Sequence, residues 1–450
     1  VHLKRKKFVF QLVNYNYMSN LAILGGKPVR NKLFSAYKYI GEEEKNAVLK
    51  VMDSGILSRY LGCKHEDFMG GEEVRSFEKE WAKYFNVKHA IAVNSCTSGL
   101  QCSVGAIGTN PGDEIIVSPY TMAASATAPL WYGVIPVFAD IEEDYFCLDP
   151  NSIEKKITKN TKAIIVVDIF GQTYNVEAIN SIAKKYNLII IEDCAQAPYA
   201  KYKGKFAGTL GDIGVYSLNY HKHIHTGEGG MIVTNNYKYA EKIRLIRNHA
   251  EAVIEEKNKE ELANMIGFNF RMTEIQAAIG REQLKKLKIL VEERIKNCNY
   301  ISRQIEKIPG IKKCKIRKDS IHAFYELAFL YDEKKIGISR NKFIDAVKAE
   351  LPATELRETE GTQISYGYVK PLYLLPLFQK KIAFGNKGYP FNLYNYKNIN
   401  YGKGLCPVAE RMHEKELFTV GLMRPPALKK DLDDVIKAFN KVYKFKNELI

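Results

Sequence analysis

The stretch Ser217-Leu-Asn-Tyr-His-Lys-His-Ile-His-Thr-Gly-Glu-Gly-Gly230 joins two apolar runs, over 213–217 and 231–234. Runs this short, continuous and β-branched read as strands buried on both faces. Between them stands one lysine, Lys222, five residues after Ser217 and followed by Gly-Glu-Gly-Gly. An amine just beyond a buried strand is partly stripped of water, which favours its neutral, nucleophilic form and suits it to Schiff-base chemistry. The glycines let the backbone close around whatever that amine holds.

The same kind of run recurs upstream, over 90–93, 114–117, 135–139, 163–169 and 188–191. Most are separated by helical stretches, over 97–107, 123–131 and 176–186, which predicts an α/β fold: a mostly parallel sheet of about seven strands covered on both faces. The connection before 231–234 carries no clear helix, so that strand is expected to run antiparallel. A long helix is predicted over 272–297, opened by a Thr273/Gln276 capping box. The large domain is drawn at 18–290 and a smaller α+β domain at 291–450. Within the latter, residues 366–404 are rich in Tyr, Asn, Gly and Pro and read as a long irregular segment, a substrate-contacting loop or lid. Residues 1–17 read as an upstream extension before Met18-Ser-Asn-Leu.

Composition sets limits on function. A 450-residue chain that is 46% hydrophobic and 26% charged can bury a large core and is not a disordered or fibrous sequence. No apolar run of about 20 residues is available to cross a bilayer. The eight cysteines form no C-x-x-C pair, which argues against a zinc framework and for reduced thiols in the cytoplasm. The net charge of +16 is spread along the chain, which suits an anionic small substrate better than nucleic acid.

In open α/β sheets ligands bind beyond the carboxyl ends of the strands, and the unusual polar residues fall there. After the first strand, Asn94-Ser-Cys-Thr-Ser98 opens a helix and offers backbone N–H groups and hydroxyls to a phosphate, or serves as a plain helix cap. After the fifth come Glu192, Asp193 and Gln196. A carboxylate there can hold a ring nitrogen protonated, or act as a cap or ion-pair partner. After the sixth come Ser217 and Lys222. A phosphate cradle, a buried acid and a loop lysine at three ends of one sheet are the parts of a pyridoxal phosphate site. His221, His223 and His225 alternate and invite a metal reading, but no further ligand is indicated, so no metal is assigned. His249, in the turn Arg247-Asn-His249, is a substrate-facing candidate.

The chain resembles the DegT/StrS family of sugar aminotransferases, pyridoxal phosphate enzymes of fold type I. The motifs are Leu24-Gly-Gly-Lys-Pro-Val-Arg30, Asn110-Pro-Gly-Asp-Glu-Ile-Ile-Val117, Pro136-Val-Phe-Ala-Asp140, Glu192-Asp-Cys-Ala-Gln-Ala197, Gly227-Glu-Gly-Gly230 and Phe268-Asn-Phe-Arg-Met-Thr-Glu-Ile-Gln-Ala-Ala278. The resemblance implies that Lys222 carries the cofactor and Asp193 partners its pyridine nitrogen. It sets Gln196 near the ring hydroxyl, and Thr97, Ser98 and Ser217 on the phosphate. Asn269 or Arg271 is expected to reach into a partner subunit's site in a homodimer. Met122 stands where the family stacks an aromatic ring. Tyr373, in Lys370-Pro-Leu-Tyr373, stands where a histidine is often found, and it joins His221, His223 and His249 as an expected substrate contact. Members with histidine in place of the lysine are sugar dehydratases, so Lys222 favours transamination. The expected reaction moves an amino group from glutamate or glutamine to a keto group of a nucleotide-linked sugar. Rival readings are a keto-cyclitol or antibiotic-precursor acceptor, a pyridoxal phosphate-dependent dehydratase, and a cofactor- or sugar-nucleotide-binding regulator.

Overall fold

The computed structural model describes residues 19–255, 257, 260–393 and 396–450, so the reading of residues 1–17 lies outside the described residues. Seven strands form the main sheet: β1 His89–Val93, β2 Glu114–Val117, β3 Ile135–Phe138, β4 Thr161–Val167, β5 Ile189–Asp193, β6 Ile213–Ser217 and β7 Gly230–Thr234. Their order is β1-β7-β6-β5-β4-β2-β3. Only β7 is antiparallel to its neighbours, as the missing crossover helix predicts. β4 begins earlier than expected and ends at Val167, because Phe170 turns into the left-handed region (φ 58°) and starts the loop toward Gln172. The expected helix over 123–131 is two short turns, Ala124–Thr127 and Pro129–Tyr132, divided before Pro129, which has no amide hydrogen to donate.

Helices α1 (Glu42–Ser54), α2 (Glu72–Phe85), α3 (Cys96–Ala106), α4 (Val176–Tyr186) and α5 (Tyr237–Arg247) come from this part of the chain. Then α6, Glu274–Ile305, opens with the Thr273/Gln276 capping box and runs eight residues past the expected end. A second sheet is antiparallel: β8 Ile311–Lys313, β9 Leu327–Tyr331, β10 Ile364–Tyr366 and β11 Leu417–Val420, in the order β8-β9-β11-β10. Helices α7 (Arg340–Ala349) and α8 (Lys429–Lys444) pack with it around Phe343, Val347, Phe418 and Phe439.

The two cores do not divide at residue 290. Leu21 and Phe34 belong to the second core, and Glu350 accepts the backbone N–H groups of Ala22 and Val29. In the opposite direction, Leu372, Tyr373, Phe378, Phe391, Tyr401 and Cys406 join the core of the large sheet. Here the reading of 366–404 as a lid is corrected. Most of its described part covers the edge strand β3: the Tyr401 hydroxyl donates to the Pro136 carbonyl at 2.7 Å, and its ring meets those of Phe138, Phe378 and Phe391. An edge strand left open is a site for mispairing, and aromatic cover removes it.

Tyr401→Ala removes a ring that is 3% exposed. A loss of about 3–5 kcal/mol in unfolding free energy is expected, read by urea denaturation.

Candidate active site

The ladder of β7 gathers the site. Gly230 pairs with Val93 on one side and with Ser217 on the other, so the start of α3 and the lysine loop leave adjacent strands side by side. The approach is close: a Cβ on Gly230 would fall 2.6 Å from the Ser95 carbonyl carbon and 2.7 Å from the Cys96 nitrogen. The Ser95 hydroxyl caps α3 by accepting the Ser98 N–H at 3.0 Å, and the Ser98 hydroxyl donates to Asn94 Oδ1 at 2.6 Å. Thr97 is exposed on the first turn, and Ser217 is buried with its hydroxyl accepting the Asn219 N–H at 3.3 Å. Helix start, hydroxyls and glycine together make an anion cradle of the kind that suits a phosphate.

Asp193 ends β5 and is 4% exposed. Burial pushes its carboxyl up; the Ser125 hydroxyl (2.7 Å), the Ala195 N–H (3.1 Å) and the positive charge of Lys222 pull it back. A protonated ring nitrogen beside it would offset the same desolvation, so this acid fits pyridoxal phosphate on its own environment. Lys222 is half-buried, with its Nζ 4.5 Å from the centre of the Tyr325 ring. Asn219 Nδ2 donates to Glu228 Oε1 at 2.8 Å and ties the two ends of the lysine loop, which gives Glu228 a structural part. Gln196 is held from both ends: its Oε1 accepts the Phe170 N–H at 2.7 Å, and its Nε2 donates to the Tyr368 hydroxyl at 2.6 Å. Met122 lies 65% exposed, its carbonyl accepting the N–H of Ser125, the residue that bonds Asp193.

A cavity of about 280 Å³ lies next to Lys222, whose chain neighbour His221 and ring contact Tyr325 line it. His221, Tyr325 and Tyr368 line it, with Arg357, Arg424 and Glu360 from the C-terminal half. Burial, with Arg357 next, pushes the His221 imidazole down to about 4, so it is neutral through the physiological range.

Three expected substrate contacts are corrected. Tyr373 is fully buried, its hydroxyl donating to Glu410 and accepting the Cys406 N–H at 3.2 Å, which leaves it nothing for a ligand. His223 is 1% exposed, and its Nε2 is 2.9 Å from the Ala323 carbonyl, so the ring is a core group. His249 has a left-handed backbone (φ 51°) and turns toward Glu251, 3.6 Å away, while its N–H donates to the Phe268 carbonyl. Its neighbour Arg247 is fully buried on Glu78. The three alternating histidines share no ligand position, since the His225 Nδ1 accepts the Gly227 N–H. Asn269 is exposed; its carbonyl lies 3.5 Å from Asn94 Nδ2, and its side chain accepts from Arg271 at 2.7 Å. Sequence reasoning missed Ser125, Tyr325, Arg357 and Arg424, while Tyr368 lies at the start of the 366–404 segment and does line the cavity. No local pattern marks the four missed residues, because each comes to the site from a separate element.

Behind Asp193, Asp168 and Glu192 lie buried beside the Cys194 thiol, whose Sγ is 3.3 Å from Asp168 Oδ2. Burial pushes Asp168 up to about 7, and burial followed by the charge of Asp168 pushes Glu192 up to about 8. The Gly208 and Leu210 N–H groups hold Glu192 at 2.7 and 2.6 Å.

Residues 38–414 match the model of the DegT/DnrJ/EryC1/StrS aminotransferase family. The spore coat polysaccharide biosynthesis protein SpsC of Bacillus subtilis is 31% identical over 412 residues, 90% of this chain and 95% of SpsC. The GDP-perosamine synthase of Caulobacter vibrioides is 41% identical over 244 residues, 54% of this chain and 62% of that one. Among solved structures, an aminotransferase from Psychrobacter cryohalolentis superposes with a TM-score of 0.75 at 28% identity, over 91% of this chain and 99% of its own.

Because both buried carboxyls are raised, their protonated forms favour the fold. That contribution is full below their unfolded values near 4 and is lost as pH climbs through 7 to 8. Thermal stability is therefore expected to fall between about pH 4 and pH 8 and to level off above. Asp168→Asn should flatten that fall by about 2 °C, read by calorimetry across the range.

Proposed function

The chain belongs to the DegT/DnrJ/EryC1/StrS aminotransferase family, and on that premise we propose that it is a pyridoxal phosphate-dependent enzyme moving an amino group from glutamate or glutamine to a keto group of a nucleotide-linked sugar. One observation carries the reading: Lys222, Asp193 and the Ser95–Ser98 helix start converge from three strand ends of one sheet. The start of α3 with Ser217 would hold the phosphate, Asp193 the ring nitrogen, and Gln196 the ring's polar edge. When bound, the cofactor supplies an electron-poor ring that accepts the electron pair left as a proton leaves the amino-bearing carbon. The Lys222 amine would take that proton and return it to the carbon on the other side of the shared nitrogen, acting as base and then acid. Asp193 would face the ring nitrogen, its carboxyl held in place by the Ser125 hydroxyl. The 41% identity to a GDP-perosamine synthase favours a sugar nucleotide as acceptor.

A homodimer with shared sites is part of the same proposal. α1 and the loop after it leave Leu49, Met52, Ile56, Leu57 and Leu61 exposed, and Met122 and Ile266 are 65% and 74% exposed. Apolar surface of this extent calls for cover, and a second copy bringing Asn269 or Arg271 to the neighbouring cradle supplies it. Among the described residues no helix is long and apolar enough to cross a membrane. All eight cysteines are free, which suits a reducing cytoplasm.

With added pyridoxal phosphate the protein should turn yellow and should bleach on addition of glutamate or glutamine. Lys222→Ala should abolish the lysine-linked absorbance band. Ser125→Ala should keep the band but slow donor bleaching roughly tenfold, the scale of one lost hydrogen bond to a charged group. A protein that stays colourless overturns the reading.

A further inference from the structure

Arg424 is nine-tenths buried and borders three adjoining cavities. They are the one of about 280 Å³ beside Lys222, a second of about 290 Å³ reaching Tyr37 and Tyr220, and a small one of about 30 Å³. Arg357 borders the same three. Its guanidinium is held in plane by Glu360 through two N–H donors, at 2.7 and 2.5 Å. Arg424 gives Glu326 one donor at 2.6 Å, while its Nε is buried without a hydrogen-bond partner. Lys222 and Arg424 flank one aromatic ring, 4.5 and 5.5 Å from the centre of Tyr325.

The arginines here carry donors that no carboxylate takes. Arg294 is fully buried against the Tyr37 ring, one nitrogen donates to the Phe324 carbonyl at 3.5 Å, and its Nε and Nη2 have no hydrogen-bond partner. Glu326 and Glu360 line the 280 Å³ cavity with Arg357 and Arg424, and Glu355 and Asp431 border the other two, yet the Arg424 Nε stays without an acceptor. An unmatched guanidinium donor in a low-dielectric pocket is costly, and an oxyanion is what relieves that cost. The planar fork of arginine fits carboxylate and phosphate oxygens in pairs, and the flanking glutamates hold each fork in orientation.

From this arrangement we propose that Arg424 and Arg357 form an oxyanion subsite that seats a carboxylate or phosphate of the substrate beside Lys222. It rests on the aminotransferase reading and adds the chemical class that the cavity selects. The shared chemistry has two sources, the carboxylate of an amino donor and the phosphate of a nucleotide carrier. The same arginines, placed on the C-terminal half, would orient either one toward an amine placed on the large sheet.

The test is calorimetric titration of the cofactor-loaded protein with glutarate and, separately, with pyrophosphate. Neither probe can be transaminated. The variants are Arg357→Gln, and the double Arg424→Gln/Glu326→Gln, which leaves no buried carboxylate unpaired. We expect the parent to bind at least one probe, with affinity falling as salt rises, Arg357→Gln to bind it at least tenfold more weakly, and the double variant to lose it. Selective loss of glutarate assigns the subsite to the donor, and selective loss of pyrophosphate to the carrier. Where the double variant does not fold, Arg357→Gln decides. A parent that binds neither probe, or variants that bind within twofold of the parent, overturns the inference. The absorbance of the same samples keeps the two readings apart. A protein that takes up no cofactor fails as an aminotransferase, whereas one that loads cofactor and bleaches yet ignores the arginines fails only here.

Discussion

The pairing of Gly230 with both Val93 and Ser217 is the constraint on which the site depends. A parallel strand entering between β1 and β6 would have needed a crossover helix. The lysine loop instead returns directly, and β7 runs back antiparallel. That turn leaves Lys222 at the same end of the sheet as the start of α3. It also demands glycine, because a side chain at 230 would overlap the backbone of Ser95 and Cys96. Gly227 has φ of 81° and gives the loop the left-handed residue that lets it come back. Gly-Glu-Gly-Gly is thus read twice by the structure, once as turn chemistry and once as the absence of bulk where a phosphate-sized anion would sit.

The electrostatics follow from the same sheet. Three acids, Asp168, Glu192 and Asp193, lie at the ends of β4 and β5, all nearly or fully buried. Water cannot stabilise three charges there, and the protein treats them unequally. Glu192 is wrapped by backbone N–H groups and Asp168 by the Tyr174 N–H, at 2.9 Å, and the Cys194 thiol. Asp193 faces Lys222, whose positive charge offsets part of its burial, and Asp168 feels the more distant Arg317. Protonating the two rear acids lowers the repulsion on the front one, the carboxyl that a ring nitrogen would meet.

How much of this was legible in the sequence differs from residue to residue. The seven strands and the antiparallel return announce themselves as apolar runs and a missing helix, because burial on both faces leaves most of each strand apolar. Lys222, Asp193 and Ser217 follow from their places at strand ends. Tyr373 was misjudged because a tyrosine in a polar, aromatic-rich segment gives no local sign of whether its hydroxyl meets a cavity or a buried glutamate. The segment 366–404 looked like a lid for the same reason: its many tyrosines cover β3, and a sequence pattern does not tell which edge a loop lies against. Ser125, Arg357 and Arg424 were invisible because each is defined by what lies opposite it, tens or hundreds of residues away.

The two cores, finally, are not independent bodies carrying half a site each. Residues 19–36 pack on the second core: Arg30 pairs with Asp431 at 2.7 Å and Phe34 bridges to Thr354. The chain then returns, and the Tyr37 hydroxyl donates to the His223 carbonyl, next to Lys222, at 2.5 Å. The chain then passes to the second core through α6, returns to the large sheet at 366–404 and goes back to the second core with β11. Any shift of the second core relative to the sheet therefore pulls on the lysine loop through Tyr37 and on Gln196 through Tyr368. The proposed function needs an amine held steady, and these repeated passages tie the second core to the lysine loop.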